Sequence, residues 1–444
     1  MNILVINSGS SSIKYKLFAM PAADVRCTGL VERIGEAQGR IKHTVFQGDD
    51  EVTHVEDRAI PDHAAGLQRV AALLMAPDGG VIAAPEEIAA IGHRVVHGGE
   101  RFHAPTLITP AVKAVIRDLI PFAPLHNPAN LAGIDVAERV FPRARQVAIF
   151  DTAFHQSMPA HAYRYAIPDA LYTEHGIRVY GFHGTSHSYV SQVAARHLDK
   201  ATGDCNLITA HLGNGASITA VHRGRSVDTS MGFSPLPGLI MGTRAGDVDP
   251  AVVFYLHARL GMSLPEIDAL LNKQSGLLGI CGDNDLRDIE ARVDAGDEQA
   301  ALALDMYAYR IRKYIGAYTA ALGRVDALVF TAGVGENSAL VRARVCDGLD
   351  GLGICLDAAA NAAVTRGQVS AIHAEDSRVD ILVVPTDEVV RTRCTHMLEH
   401  RLAQSVRPGS QERGRDRYVE STNRGQTILV RIQVELECSS PGRA

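Results

Sequence analysis

The stretch Ile3-Leu4-Val5-Ile6-Asn7-Ser8-Gly9-Ser10-Ser11-Ser12-Ile13-Lys14-Tyr15-Lys16-Leu17-Phe18 opens the chain with a β-branched apolar run, a small polar turn and a second extended segment. It reads as strand, tight turn, strand. The same order of residue types returns mid-chain. There, Leu207 to Ala210 enters His211-Leu212-Gly213-Asn214-Gly215-Ala216 and leaves through Ser217 to Val221, with a further strand after Arg223-Gly224. Two such hairpins suggest two related α/β halves, although glycine-containing hairpins are common enough that the repeat alone leaves duplication undecided.

Working outward, residues 301 to 322 place Leu304, Tyr307, Ala308, Ile311, Tyr314, Ile315, Tyr318 and Leu322 on one helical stripe, with Gly323 as the stop. This predicted helix feeds an apolar strand, Ala327 to Phe330. The strand ends in Thr331-Ala332-Gly333-Val334-Gly335-Glu336-Asn337, a glycine turn ahead of another helical stretch. Strand, glycine turn and helix suit a nucleotide. Two further apolar runs, Val147 to Phe150 and Ile381 to Val384, deliver Asp151 and Thr386-Asp387-Glu388 at their carboxyl ends. Acids at strand ends face the ligand crevice of an open α/β sheet.

The chain has 444 residues, 46% hydrophobic and 21% charged, enough for two or three domains. A net charge of −6 with no basic block before the tail points away from a nucleic-acid surface and towards small-molecule chemistry. No apolar run approaches the roughly 20 residues needed to cross a bilayer, so no membrane partner is expected. The first residues turn polar too soon for a signal peptide. Seven scattered cysteines without CxxC spacing imply neither a disulfide framework nor a zinc site, and a reducing cytoplasm is expected. From about Ser405 the composition shifts to Arg, Gly, Ser, Glu and Gln. Residues 405–444 are therefore expected to be an appended, disordered tail, save for an alternating segment from Val430 to Glu437 that could form a strand.

Asn7, Ser10, Ser12 and Lys14 put small polar groups and a cation around a turn whose Gly9 lets backbone N–H groups approach a phosphate. The P-loop pattern is absent and Ser-rich turns are abundant, so on local grounds a solvated Ser-rich turn is the favoured reading of the segment. His211, Gly213, Asn214 and Gly215 form a second phosphate candidate, or a plain Asn-Gly turn. Arg94 and Arg244 lie in glycine-rich chain. Phosphoryl transfer spreads charge over equatorial oxygens, which fixed guanidinium forks stabilise; an ordinary surface Arg is the alternative. His183 and His187 have the spacing of a zinc helix, but the Glu of HExxH is missing and Gly184 argues against a helix start there. His183 is read instead as a hydrogen-bonding partner of a ligand oxygen or an internally satisfied histidine. Asp151 and Glu388 are assigned to Mg²⁺, which nucleotide enzymes hold with one or two carboxylates plus phosphates and water.

Together these segments resemble the acetate and propionate kinase family, whose fold is shared with sugar kinases, actin and chaperone ATPases. The resemblance runs from residue 1 to about 400. It is most specific in Asn7–Lys14, in Gly181-Phe182-His183-Gly184-Thr185-Ser186-His187, in Met231-Gly232-Phe233-Ser234-Pro235-Leu236-Pro237-Gly238 and in Met241-Gly242-Thr243-Arg244. It implies an α/β fold: a two-domain, duplicated actin-like ATPase (ribonuclease H-like) architecture with a βββαβαβα core and a nucleotide cleft between the domains. The expected domains are 1–150, completed by about 390–404, and 151–389 with the adenosine site. On the family's pattern Arg94, His183 and Arg244 are transition-state residues, His126 is a further active-site histidine, and Asp151 and Glu388 are magnesium-linked acids with Asn7 nearby. Val96, Leu125, Phe182 and Pro235 match a small apolar pocket for a methyl group. Asp285, Leu286 and Arg287, with Gly333, Val334, Gly335, Glu336 and Asn337, fall at the nucleotide site. The loop Cys281–Arg287 is one residue shorter than the family's usual form.

The implied reaction is in-line phosphoryl transfer between ATP and acetate or propionate, giving ADP, with Mg²⁺ or in its place Mn²⁺, in a homodimer. An aliphatic carboxylate, with a pKa of about 4, is ionised at neutral pH and needs no general base. One methylene in an apolar pocket discriminates by only about 1–3 kcal/mol, so acetate and propionate are not separated by residue types alone. A non-catalytic actin-like ATP-binding switch would leave Arg94, Arg244 and the apolar pocket without a use.

Overall fold

The computed structural model describes residues 1–386 except Ser10, Asp49 and Leu125, together with the backbone of 418–423 and 426–431. Of the candidate site residues, Ser10, Leu125 and Glu388 lie outside the described residues, as do the expected completion of the first domain at 390–404 and most of the alternating segment from Val430.

The first sheet is built from β1 (Asn2–Ser8), β2 (Ile13–Ala19), β3 (Asp24–Glu32), β4 (Gly39–Gln47), β5 (Asp50–Arg58), β6 (Ile88–Val95), β7 (Thr106–Leu107) and β8 (Arg145–Phe150). Its order is β5-β4-β3-β2-β1-β6-β8-β7. The second is built from β9 (Asn206–Leu212), β10 (Ala216–His222), β11 (Arg225–Thr229), β12 (Ala327–Thr331), β13 (Ser370–Ala371) and β14 (Asp380–Val383), in the order β11-β10-β9-β12-β14-β13. Setting aside the outer strands, β3-β2-β1-β6-β8 and β11-β10-β9-β12-β14 are the same pattern. Each is a hairpin-linked antiparallel trio whose first strand pairs in parallel with a crossover strand and then a second one. The expected duplication is therefore present.

The continuous apolar runs follow from this topology. Ile3 to Ile6 and all of Ala327–Thr331 are buried, because central strands of parallel character are covered on both faces. At the opposite extreme, β5 is nearly all exposed and rich in Asp, Glu and Arg, which blunts a sheet edge. The helix predicted over 301–322 spans Glu298–Leu322; the Asp297 side chain caps its start, accepting from Gln299 N and Ala300 N, and Gly323 at φ 69° ends it. Its buried stripe packs in one cluster with Ile208, Ala210, Ile218 and Leu328 of the second sheet.

Two local expectations are corrected. Gly184 is the first residue of a helix, Gly184–His197, which packs on β9 and β12. The expected glycine turn at 332–337 is itself a short helix, Ala332–Asn337, springing directly from β12. At Gly184 the glycine permits close packing of a helix start against a strand end, which local propensity does not reveal. In the tail, Tyr418–Asn423 and Gln426–Arg431 form a two-stranded antiparallel hairpin, in a unit of its own.

Two buried histidines fix the join between strands and site. His155 donates from Nε2 to the carbonyl of Phe182 (2.9 Å) and meets Ser226 Oγ at Nδ1 (2.8 Å); His93 Nε2 bonds Gln146 Oε1 (2.7 Å). Burial pushes both imidazoles down to about 4. The unfolded chain protonates them near 6.5, so their contribution is complete above that pH and is lost as pH falls towards 4, by about 3 kcal/mol each. The urea midpoint is therefore expected to drop between pH 6.5 and 4, and His155→Gln to show a shallower drop; a level wild-type midpoint across that window contradicts this account.

Candidate active site

Asp151 follows β8 directly and is fully buried. Arg94, in β6, donates from Nε to Asp151 Oδ2 (2.9 Å) and from Nη2 to the same oxygen, while its Nη1 reaches Asn7 Oδ1 at 3.3 Å. Thr185 Oγ1 donates to Asp151 Oδ1 (2.9 Å), and Gly184 N donates to the Asp151 carbonyl (2.9 Å). A Cβ at residue 184 would stand 2.2 Å from that carbonyl oxygen, so only glycine lets the helix start abut the strand end. Asp151 thus accepts hydrogen bonds on both carboxylate oxygens, an arrangement unlike that of a free general base.

His183 precedes this helix in the left-handed region, at φ 56° and ψ 20°. A non-glycine residue there is uncommon and is held by its surroundings. Its ring stacks on His211 with centroids 4.2 Å apart, and its Nδ1 lies 2.9 Å from Ser217 Oγ. His211 Nδ1 in turn meets Ser186 Oγ at 2.8 Å. Burial, with the positive neighbours His211, Arg94, His187 and Arg244, holds the His183 imidazole well below its usual value. His187, one turn on, is fully buried between Thr209 Oγ1 and Ser217 Oγ, both at 2.7 Å. Both histidines are committed to hydroxyls, and among the described residues no group of three or more His, Cys, Asp or Glu is placed to hold a metal.

Arg244 approaches from the second lobe. Its Nη1 lies 3.4 Å from the Pro235 carbonyl, and burial lowers the guanidinium from its ordinary value, though a guanidinium stays charged. The bare Cα of Gly215 fills the gap between arginine and histidine, since a Cβ there would lie 3.6 Å from both Arg244 Nη1 and His183 Cε1. His126 caps the helix Asn127–Val140, and burial followed by the charges of Arg94 and Arg244 lowers its pKa. Val96 and Phe182 share one apolar cluster with Ala123 and Met231, and Pro235 is half-buried.

Two cavities complete the site. One, of about 360 Å³, is lined by Asn7, Lys14, Arg94, His183, His211 and Asn214 among others. The other, of about 650 Å³, is bounded by Asp285, Leu286, Arg287, Val334 and Asn337, with Asn284, Glu290 and Arg366. Gly213, Asn214 and Gly333 border both, so the two are ends of one cleft.

A profile of the acetokinase family matches residues 2–392. The chain belongs to the acetokinase family. It is 55% identical over 389 residues to an acetate kinase of Oleidesulfovibrio alaskensis, covering 87% of this chain and 96% of that one. With an acetate kinase of Streptomyces coelicolor the identity is 57% over 386 residues, covering 87% and 94%. Among solved structures, Porphyromonas gingivalis acetate kinase superposes with a TM-score of 0.83 at 46% identity, covering 90% of this chain and 99% of that one. A propionate kinase from Francisella tularensis gives 0.81 at 41%, with coverage of 88% and 98%.

Against this acetokinase fold, some residues singled out from the sequence do not line the cleft. Ser12 presents its carbonyl to Gly9 N (2.8 Å), and Gly335 is buried. Glu336 accepts from Thr386 N (2.7 Å) and Oγ1 (2.6 Å). Asp285 does border the larger cavity, but its carboxylate caps the helix Leu286–Asp294 and pairs with Arg287. Conversely, Thr185, Ser186 and Tyr189 line the smaller cavity although the sequence reading assigned none of them a role. With Gly184 read as non-helical, the common face of these residues was not visible.

Proposed function

We propose that the protein is an acetate kinase that transfers the γ-phosphoryl group of ATP directly to the acetate carboxylate, giving acetyl phosphate and ADP, reversibly. The observation that carries this reading is the convergence of Arg94, His183 and Arg244 on the Asn214-Gly215 turn, with the buried apolar residues Val96 and Phe182 two residues from Arg94 and next to His183 in the chain. A ligand with an apolar tip and an anionic head matches a small apolar recess next to two guanidinium groups.

In this reading the adenosine occupies the larger cavity and the phosphates run across Gly213, Asn214 and Gly333 into the smaller one, where Lys14 and Asn7 of the first hairpin face them. Val96, Phe182 and Pro235, with Leu125, receive the methyl group. The carboxylate attacks as the anion it already is, and Asp151, saturated by Arg94 and Thr185, takes no proton. Arg94 and Arg244 stabilise the spreading charge with fixed donors, and His183 and His126, kept neutral by burial, donate hydrogen bonds rather than charge. Asn7 lines the smaller cavity at the phosphate end, and Asp151 lies behind it, joined through Arg94. Asn7, with Asp151 acting through water and with Glu388, would hold a Mg²⁺ or Mn²⁺ that keeps most of its coordination from water and phosphate. Such an ion neutralises charge on the transferred phosphate. Propionate is the adjacent substrate, because one methylene alters binding by only about 1–3 kcal/mol.

The helix Pro250–Leu260 has no buried residue despite the sequence Pro-Ala-Val-Val-Phe-Tyr-Leu; Phe254 is 71% and Tyr255 60% exposed. Asp247, just before it, accepts from Tyr314 Oη (2.7 Å) on the long helix, which exposes Met306 and Tyr309. Apolar surface of this kind marks an interface, and a second copy of the chain is the proposed occupant.

No described helix is long and apolar enough to cross a membrane. Purified protein with Mg-ATP is expected to form a hydroxamate from acetate when hydroxylamine is added, with propionate and butyrate as comparisons; absence of product from all three sinks the proposal. Arg244→Lys keeps charge and loses the fork, so kcat should fall about a hundred- to a thousandfold with little change in the KM for acetate. A near-normal kcat would reduce Arg244 to a loop charge. Phe254→Glu should convert a sedimenting dimer to monomer, and a wild-type monomer at micromolar concentration would remove the interface.

A further inference from the structure

His187 was set aside above as an internally satisfied residue, yet it belongs to a chain of hydrogen bonds that ends in the cleft. Thr209 Oγ1 lies 2.7 Å from His187 Nδ1, His187 Nε2 lies 2.7 Å from Ser217 Oγ, and Ser217 Oγ lies 2.9 Å from His183 Nδ1. Thr209 stands on β9 and Ser217 on β10, where Ser217 pairs in register with His211. Both hydroxyls therefore meet the helix Gly184–His197 across one face of the hairpin. Thr209, Ser217 and His187 are all fully buried.

Each hydroxyl has one hydrogen and two lone pairs, and each neutral imidazole has one hydrogen. A setting in which Ser217 accepts from both rings strands its own buried hydrogen, so two settings that run in one direction remain to be compared. In the first, Thr209 donates to His187 Nδ1, His187 Nε2–H donates to Ser217, and Ser217 donates to His183 Nδ1, leaving the His183 hydrogen on Nε2. In the second every direction reverses. The His183 hydrogen then sits on Nδ1, and Nε2 shows a bare lone pair to the cleft.

The reversed setting leaves the Thr209 hydrogen without an acceptor, since among the described residues its Oγ1 is hydrogen-bonded to His187 alone, and a buried hydroxyl hydrogen so stranded is costly. It also turns a lone pair towards the Gly215 turn, where the transferred phosphate is placed; a Cβ at Gly215 would lie 3.7 Å from His183 Nε2. The first setting pairs both hydroxyl hydrogens and the His187 hydrogen, and presents the His183 N–H there instead. We propose that Thr209, His187 and Ser217 form a tautomer relay that fixes His183 as an Nε2–H donor to the phosphoryl group in flight. They act as positioning residues, because none of them touches the reacting atoms. The burial that depresses the pKa of His183 and His187 keeps both rings neutral, so that each carries the single hydrogen this setting requires.

The role assigned to the donor rests on the acetate kinase reading; the tautomer does not. In the full-length protein with histidine-selective isotope labelling, long-range proton–nitrogen correlation should show His183 protonated on Nε2 and bare on Nδ1, the signal being assigned by its loss in His183→Gln. Ser217→Ala should lower kcat about tenfold, the worth of one hydrogen bond, with the KM for ATP and acetate little changed. Ser217→Thr, which keeps the hydroxyl, should restore most of it. Thr209→Val, nearly isosteric, should lower kcat in the same manner, and it carries the test where Ser217→Ala fails to fold. A wild-type His183 protonated on Nδ1 overturns the relay, as does full kcat in Ser217→Ala or in Thr209→Val, or a Ser217→Thr as slow as the alanine variant. Absence of acyl phosphate from the wild type would instead overturn the reaction, while the spectrum still decides the tautomer.

Discussion

A fully buried carboxylate cannot stand unpaired, and Asp151 is where the molecule meets that demand. Its Oδ2 takes the Arg94 fork, its Oδ1 takes the Thr185 hydroxyl, and its carbonyl takes the first N–H of the helix Gly184–His197. Three segments distant in sequence, the end of β6, the end of β8 and a helix start, are thereby drawn to one point. Removing one partner of such a pair typically costs about 3–5 kcal/mol, because the other charge remains buried. The same contact aims Arg94 at Asn7 in the first hairpin and leaves His183, the residue just before the helix, in a left-handed conformation facing the second.

The duplicated topology explains why two hairpins face one cleft. In each half, the first strand ends at a tight glycine turn, and its parallel neighbour ends beside it: β6 with Arg94 in one half, β12 with Thr331 and Gly333 in the other. The halves then diverge in chemistry. The first supplies Lys14, Arg94 and Asp151; the second supplies Asn214, Gly215, the stacked histidines and the larger cavity. In the proposed reading, symmetry of fold gives a place for phosphate on both sides, and asymmetry of side chains gives direction to the transfer.

Much of this was legible in the sequence, for reasons that differ by residue. Strand runs such as Ile3 to Ile6 and the stripe ending at Leu322 announce themselves because burial on both faces, or on one helical face, selects residue types directly. The hairpins showed the duplication only weakly until the strand orders of the two sheets could be compared. Arg94, His183 and Arg244 were visible as residues but not as a cluster, since the distances between them are set by strand ends far apart in sequence. Thr185, Ser186 and Ser217 lay within quoted stretches but were given no role: Ser and Thr are ordinary in turns and helix starts, and their significance lies in which carboxylate or imidazole they face. Gly184 misled because its use is steric, a close approach to the Asp151 carbonyl, whereas local rules price it only as a helix breaker.

A cleft that handles polyphosphate needs positive charge, yet every cation brought out of water costs desolvation and repels its neighbours. Fixed charge is carried here by Lys14, Arg94 and Arg244, and the imidazoles beside them are driven neutral both by burial and by those guanidinium groups. That division has a chemical consequence. A cationic imidazole would bind the substrate carboxylate strongly in the ground state and so hold back the nucleophile, a gain in affinity with no gain in turnover. A neutral N–H binds the ground state weakly and strengthens as negative charge spreads over the phosphoryl oxygens, which is the differential that speeds the chemical step. The value of such a donor depends wholly on the hydrogen being on the nitrogen that faces the cleft. Burial alone leaves that choice open, and only the hydroxyls behind the ring, Ser217 and beyond it Thr209, can settle it.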